Sequence, residues 1–151
     1  NLDEWLRQVN SPPIFLNSIG GLGSPFWRPG PEPAIVGEGD KRQKVTAVAE
    51  SILFLLQANL DAMNETGLNI RRIQISGGLA NSDALCQRLA DLTGKPVYRP
   101  VETEATARGA AWLAAGRPSH WPELDPGVRF EPEANPGLKE RYGRFRELLE
   151  A

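Results

Sequence analysis

Apolar residues return at two different intervals along this chain, and the change of interval divides it into elements. Leu2, Trp5, Leu6 and Val9 stand three or four apart in "NLDEWLRQV", the spacing of one helix face, and "NSPP" ends that helix because a residue before proline is pushed out of the helical region. Residues 13–37 hold five prolines and five glycines, too many for a helix or a regular central strand. They predict a shaped loop flanked by short extended pieces. From Lys41 to Thr66, Val45, Val48, Ile52, Leu55, Leu56, Leu60 and Met63 recur at helical spacing, and Gly67 sits where a C-terminal glycine belongs. Leu53 and Phe54 make the middle of this helix apolar on nearly all sides, which predicts packing between two layers.

The interval then shortens to two. "NIRRIQIS" sets Ile73 and Ile75 in alternation after Ile70, a strand; Asn81 or Ser82 can cap a helix running to about Thr93, closed by Gly94. "KPVYRP" is a second short strand. Thr103 opens a helix of small residues, "EATARGAAWLAAG", ended by Gly116 and Pro118. Strand, helix, strand, helix in this order favours neighbouring parallel strands joined by a right-handed crossover, hence an α/β fold. Residues 117–136 read as a proline-rich arm, and Leu138, Tyr142, Phe145 and Leu148 or Leu149 mark a terminal helix over 137–151.

Composition narrows the chemistry. A length of 151 residues, 40% hydrophobic and 24% charged, suits one globular domain with a core of its own. Seventeen basic against nineteen acidic residues leave a net charge of −2, so neither a nucleic-acid partner nor an anionic membrane is expected. One cysteine, Cys86, and one histidine, His120, exclude an internal disulfide, a typical zinc site and a Ser-His-Asp centre. No metal site is predicted. The lack of a signal-like start and of eighteen consecutive apolar residues predicts a cytoplasmic protein, and Asn1 in place of methionine indicates processing or a fragment.

Gly77 and Gly78 lie between a strand and a helix. Such a pair lets a ligand approach the backbone, where free N–H groups and the helix's positive end favour an anion or a polar ring edge; a plain strand-to-helix corner also favours glycine. Neither "GxxxxGK[ST]" nor "GxGxxG" occurs, so any nucleotide is held in another way. Gly109, among Ala105, Ala107, Ala110 and Ala111, leaves one helix face nearly bare, the mark of close packing against a sheet or of the border of a cleft. "GGLGSPFW" reads either as a loop pinned in a core by Phe26 and Trp27 or as a loop lining a cleft. Asp40, Asp83 and Glu102 stand at loop-helix junctions and read as caps, Glu50 sits among apolar residues of the long helix, and no carboxylate is singled out as a catalytic base.

Five stretches taken together resemble one family. "GLGSPFWRPGPEPAIVG", "VTAVAESILFLL", "ISGGLANSDALCQRLADLTGKPV", "EATARGAAWLAAG" and "FEPEANPGLKERYGRFRELL" follow the order and spacing of the carboxy-terminal lobe of the FGGY carbohydrate kinases, with "GLGSPFW" nearer the glycerol kinase branch than the xylulokinase branch. The resemblance implies a ribonuclease H-like lobe of the actin and hexokinase type over residues 1–151, a mixed sheet flanked by helices and incomplete at its N-terminal strands. It implies ATP with Mg2+ and a sugar or polyol in a cleft against a missing amino-terminal lobe, which carries the general base. Gly77 and Gly78 would lie against the adenosine and its phosphates, Ser82 near the adenine, with Asn81 a neighbouring candidate and Gly37 at the nucleotide end of the cleft. No catalytic residue falls within this chain by that reading, and one lobe alone is not expected to transfer phosphate. The chain departs from the family's usual wording at Arg28, Glu32, Pro33, Lys44 and Arg108, which motivates a second reading: a degenerate lobe that binds a nucleotide or a partner protein without catalysis.

Overall fold

The computed structural model describes residues 2–123 and 125–150. Ten elements alternate along the chain: α1 (Leu2–Gln8), β1 (Ile14–Leu16), β2 (Ala34–Val36), α2 (Lys41–Glu65), β3 (Ile73–Gln74), α3 (Asp83–Thr93), β4 (Val97–Arg99), α4 (Ala105–Ala114), β5 (Val128–Phe130) and α5 (Pro136–Glu150). A single 3-10 turn, Gly78–Asn81, leads into α3. β1 and β2 form an antiparallel pair, and β3, β4 and β5 form a separate mixed sheet in that order. β3 and β4 run parallel, Ile73 beside Val97, as the strand-helix-strand order predicts.

The ends of the helices follow from local chemistry. Asp40 and Gln43 close a capping box at the start of α2, each side chain meeting the other's backbone N–H at 2.9 Å. Ser82 caps α3, and Gly94 ends it in the left-handed conformation at φ 65°, which a glycine adopts without strain.

Where the chain departs from its pattern, tertiary contacts decide. The buried face of α2 is Thr46, Ala47, Ala49, Glu50, Ser51, Leu53, Phe54 and Ala58, not the more conspicuous stripe of Val45, Val48, Ile52 and Leu56. Val48 and Leu56 are 40% and 43% exposed on the opposite side, so only one of the two expected layers covers the helix. β3 is two residues long, and Ile70 falls outside it. The proline-rich arm is not all coil. Residues 128–130 add antiparallel to β4, and Gly127 allows the approach because a Cβ there would collide with the Arg99 carbonyl.

The core gathers α1, α2, α3, α5 and the strands around Leu6, Phe54, Leu85, Leu89, Val97, Leu138 and Phe145. At its centre Glu50 is 1% exposed, accepting from Arg141 Nε at 2.8 Å and Nη2 at 2.6 Å and pairing with Arg88. Arg88 Nε also donates to the Leu6 carbonyl at 3.0 Å and Nη2 to the Val9 carbonyl at 2.8 Å. One buried carboxylate thereby ties four helices together. Burial pushes the Arg88 pKa down, and the Glu50 charge works against that shift.

Candidate functional site

Parallel strands carry their ligands beyond their carboxyl ends, where the strand-to-helix loops gather. Here those ends belong to β3 and β4. Chain leaving β3 passes through Gly77 and the 3-10 turn Gly78–Asn81 into α3; chain leaving β4 passes through Pro100 and Thr103 into α4. The two loops are stitched by the Gly77 N–H, which donates to the Thr103 carbonyl at 2.9 Å. Gly77 takes φ 90° and ψ 176°, a conformation essentially reserved for glycine, so the residue is required by the backbone itself. A Cβ at Gly77 or Gly78 would meet no atom within 4 Å, so the space in front of both is open. The pair thus presents bare backbone to solvent at the crest of the parallel strands, the arrangement a ligand approaching the main chain needs.

Asn81 and Ser82, adjacent in sequence, serve different ends. Asn81 is exposed and lines a cleft of about 290 Å3 with Arg99, Pro100, Val101, Thr103, Gly127 and Val128. Ser82 Oγ is fully engaged: it donates to Asp3 Oδ1 at 2.8 Å while accepting from the Leu85 N–H at 3.2 Å. The same Asp3 oxygen accepts from the Ala84 N–H at 2.8 Å. That N–H, more than any other contact, holds the Asp3 carboxyl below its ordinary pKa, with partial burial opposing. A carboxylate from α1 already answers the positive end of α3, so added negative charge is better placed on the open side of the glycine pair. Gly37 belongs to the other sheet, just past β2, at φ 105° with Pro13 3.5 Å from the position of a Cβ. The structure therefore brings Gly77, Gly78, Asn81 and Ser82 into one turn and leaves Gly37 in another part of the fold.

Two residues that stand out in no sequence pattern organise this crest, Asp3 and Arg99. Arg99 Nη1 donates to the Ala80 carbonyl at 2.7 Å, and Nη2 meets Asp83 Oδ1 at 2.8 Å. No motif marks either residue; the i,i+4 pair of Asp3 with Arg7 even suggests a solvated helix face. Asp40 caps α2 as expected, but Asp83 pairs with Arg99 as the first residue of α3, and Glu102 caps no helix: α4 begins only at Ala105, without a side-chain cap, and Glu102 accepts from the Glu104 N–H at 2.7 Å within the loop before it.

The other candidates resolve differently. Of the two readings of the glycine loop, the cleft-lining one describes it better: Phe26 packs against the core, but Trp27 is 79% exposed at φ 50° and borders an open cleft with Gly20, Gly21 and Gly23. Arg28, a departure from the family's usual wording, fastens the loop to α5, because its Nη2 donates to the Leu149 carbonyl at 2.7 Å. The small-residue face of α4 packs on nothing. No residue of α4 is buried, and a Cβ at Gly109 would meet no atom within 4 Å. Cys86 is fully buried, and burial pushes its thiol pKa up, which suits a packing residue and not a nucleophile. Among the described residues no three His, Cys, Asp or Glu side chains converge on a point that could hold a metal ion.

Residues 4–116 match the model of the FGGY family of carbohydrate kinases, C-terminal domain. A glycerol kinase of Halothermothrix orenii is 36% identical over 136 residues, covering 85% of this chain and 27% of that protein. A glycerol kinase of Leifsonia xyli subsp. xyli is 32% identical over 147 residues, covering 90% of this chain and 29% of its own length. Among solved structures, Plasmodium falciparum glycerol kinase with ADP superimposes with a TM-score of 0.76 at 19% identity, over 97% of this chain and 32% of that one. A Brucella ovis protein described as a xyloylose kinase gives a TM-score of 0.76 at 22% identity, over 99% of this chain and 34% of that one. The chain thus spans between a quarter and about a third of the length of these relatives.

Proposed function

The chain belongs to the FGGY family of carbohydrate kinases, and from that premise we propose that it is the carboxy-terminal lobe of an ATP-dependent sugar or polyol kinase, supplying the adenosine side of the cleft. The observation that carries this reading is the open glycine pair at the carboxyl end of β3 and β4, inside the stretch matched by the family model. Gly77 and Gly78 would let the nucleotide lie against the main chain, Asn81 would face it from the adjoining cleft, and Ser82 would hold the start of α3 beneath the adenine. When bound, ATP supplies the terminal phosphate that passes to a hydroxyl of the sugar or polyol.

Phosphoryl transfer is mostly positioning and charge neutralisation around a metal, with a base at the acceptor hydroxyl. Mg2+ keeps several waters and binds through phosphates and one or two carboxylates, so it would arrive with the nucleotide. We assign no base to these residues; it and most contacts to the acceptor would come from the amino-terminal lobe. Closure of two lobes over a small polyol or ketose in the cytoplasm, where ATP is abundant, is the arrangement this lobe suits.

The test is phosphoryl transfer by the full-length polypeptide that carries these residues, across glycerol, xylulose, ribulose, gluconate and erythritol. Transfer to one of them, lost in Gly78→Asp, is the expected result. An active enzyme in which Gly78→Asp leaves the KM for ATP unchanged would overturn the placement of the nucleotide. A folded polypeptide that neither transfers phosphate nor binds ATP would overturn the kinase reading.

A further inference from the structure

Arg99 ends β4, but its side chain turns sideways, under the crest, with 15% exposure. Three groups receive its guanidinium. Nη1 donates to the carbonyl of Ala80 at 2.7 Å, Nη2 reaches Asp83 Oδ1 at 2.8 Å, and the guanidinium carbon lies 5.4 Å from the centre of the Phe130 ring. Ala80 is fully buried inside the Gly78–Asn81 turn, and Asp83 is the first residue of α3. A single planar group on β4 thus holds the middle of the turn and the start of the next helix, with β5 as its floor.

The turn needs such a hold. It begins with two glycines, whose chain loses more conformational freedom on ordering than any other, and no side chain caps its start. Its other ties are neutral: backbone N–H bonds from Gly77 to Thr103, from Ala80 to Gly77 and from Ser82 to Leu79, and the weak donor Cys86 Sγ on the Ala80 carbonyl at 3.3 Å. Arg99 also lines the cleft that Asn81 faces, so a shift of its head group would move both the turn and the cleft wall. Lysine cannot do the same work, because its ammonium is a point donor and lacks the planar fork that reaches two acceptors and stacks on a ring.

We infer that Arg99 is a positioning residue that fixes the Gly77–Asn81 backbone in the conformation presented to the nucleotide. This rests on the placement of ATP proposed above, and two independent readouts separate the two ideas. Arg99→Met and Arg99→Lys are prepared in the full-length polypeptide; amide exchange is followed at Leu79–Asn81, with and without ADP, beside the KM values for ATP and for the acceptor. Loss of charged hydrogen bonds should speed exchange in the turn by about ten-fold or more in Arg99→Met, leave α5 amides unchanged, and raise the KM for ATP by a similar factor without altering that for the acceptor. Arg99→Lys should recover less than half of each change on a logarithmic scale. Unchanged exchange in the turn overturns the inference, as does a loosened turn with an unaltered KM for ATP in an enzyme whose turn ADP protects. If ADP protects no amide from Gly77 to Ser82 in the wild type, the placement of the nucleotide fails, while faster exchange in Arg99→Met still establishes the brace.

Discussion

α3 and α4 occupy equivalent places, each following a parallel strand, yet they are held in opposite ways. Eight of the eleven residues of α3 are buried, against none of the ten in α4. α3 sends Leu85, Leu89 and Leu92 into the core, pairs Arg88 with Glu50, and has its first turn fastened to α1 by Asp3. α4 has local ties: Trp112 Nε1 donates to the Pro118 carbonyl at 3.2 Å, and Arg108 lies 5.7 Å from the Trp121 ring centre while donating to the Pro122 carbonyl. Helix formation in α4 comes from alanine-rich propensity, whereas α3 is helical because a core receives it. The glycine crest proposed to meet the nucleotide lies between these two helices, with an enclosed wall on one side and a loosely held one on the other.

The contrast predicts a descending series of effects. Arg88→Ala should cost about 3–5 kcal/mol in urea unfolding, because the buried Glu50 loses a partner and two backbone carbonyls lose their donor. A loss below about 1 kcal/mol would mean that Arg141 alone satisfies Glu50. Leu89→Ala should follow at about 2–5 kcal/mol, the usual cost of a cavity in a packed core. Ser82→Ala removes the α3 cap and should cost about 1 kcal/mol by the same assay.

The Asp3 contact adds a pH dependence. Its folded pKa is lowered, so the stabilisation it gives is present above the unfolded carboxylate value and is lost as pH falls through the folded value. Wild type and Asp3→Asn should therefore differ in stability at about pH 6 and converge toward about pH 2, as followed by thermal melts. A difference that is constant with pH would show that the ionised form contributes nothing.

For α4 the expected effects are smaller and local. Gly109→Ala should stabilise that helix by about 1 kcal/mol, read as slower amide exchange confined to α4, with no shift in the global unfolding midpoint. Leu113→Ala, at a residue 54% exposed, should change stability by less than about 0.5 kcal/mol. A large global loss from Leu113→Ala would remove the contrast, since it would show α4 to be part of the cooperative core.

The same division runs through what is legible in the sequence. Apolar spacing, caps and the small-residue run of α4 between them locate the five helices, and Gly67 and Gly94 mark two of their ends, because capping and spacing are local properties. The pattern predicts two covered sides for α2, whereas one is covered: Leu53 and Phe54 with small residues and Glu50 face the core, and the stripe holding Val48 and Leu56 is left open. An apolar stripe reports a face that wants a partner and cannot say which partner is present. β5 is hidden by the prolines around it, and the pattern leaves open whether Phe26 and Trp27 enter a core, which only Phe26 reaches. In the candidate site, Gly77 and Gly78 stand out because a glycine pair after a strand is a short-range signal. Asp3 and Arg99 do not, because they meet the turn from 79 and 19 residues away.

By itself, then, the sequence determined the order of the helices, the parallel neighbours β3 and β4, the glycine corner between strand and helix, and the family signature. These depend on spacing and backbone preference within a few residues. Only the tertiary structure decided that Glu50 is the ion-paired centre of the core, that α4 is unburied while α3 is enclosed, and that Asp3 and Arg99 hold the crest. Burial, ion pairing and bracing are made between distant segments, and their energies exist only once the chain has folded to bring those segments together.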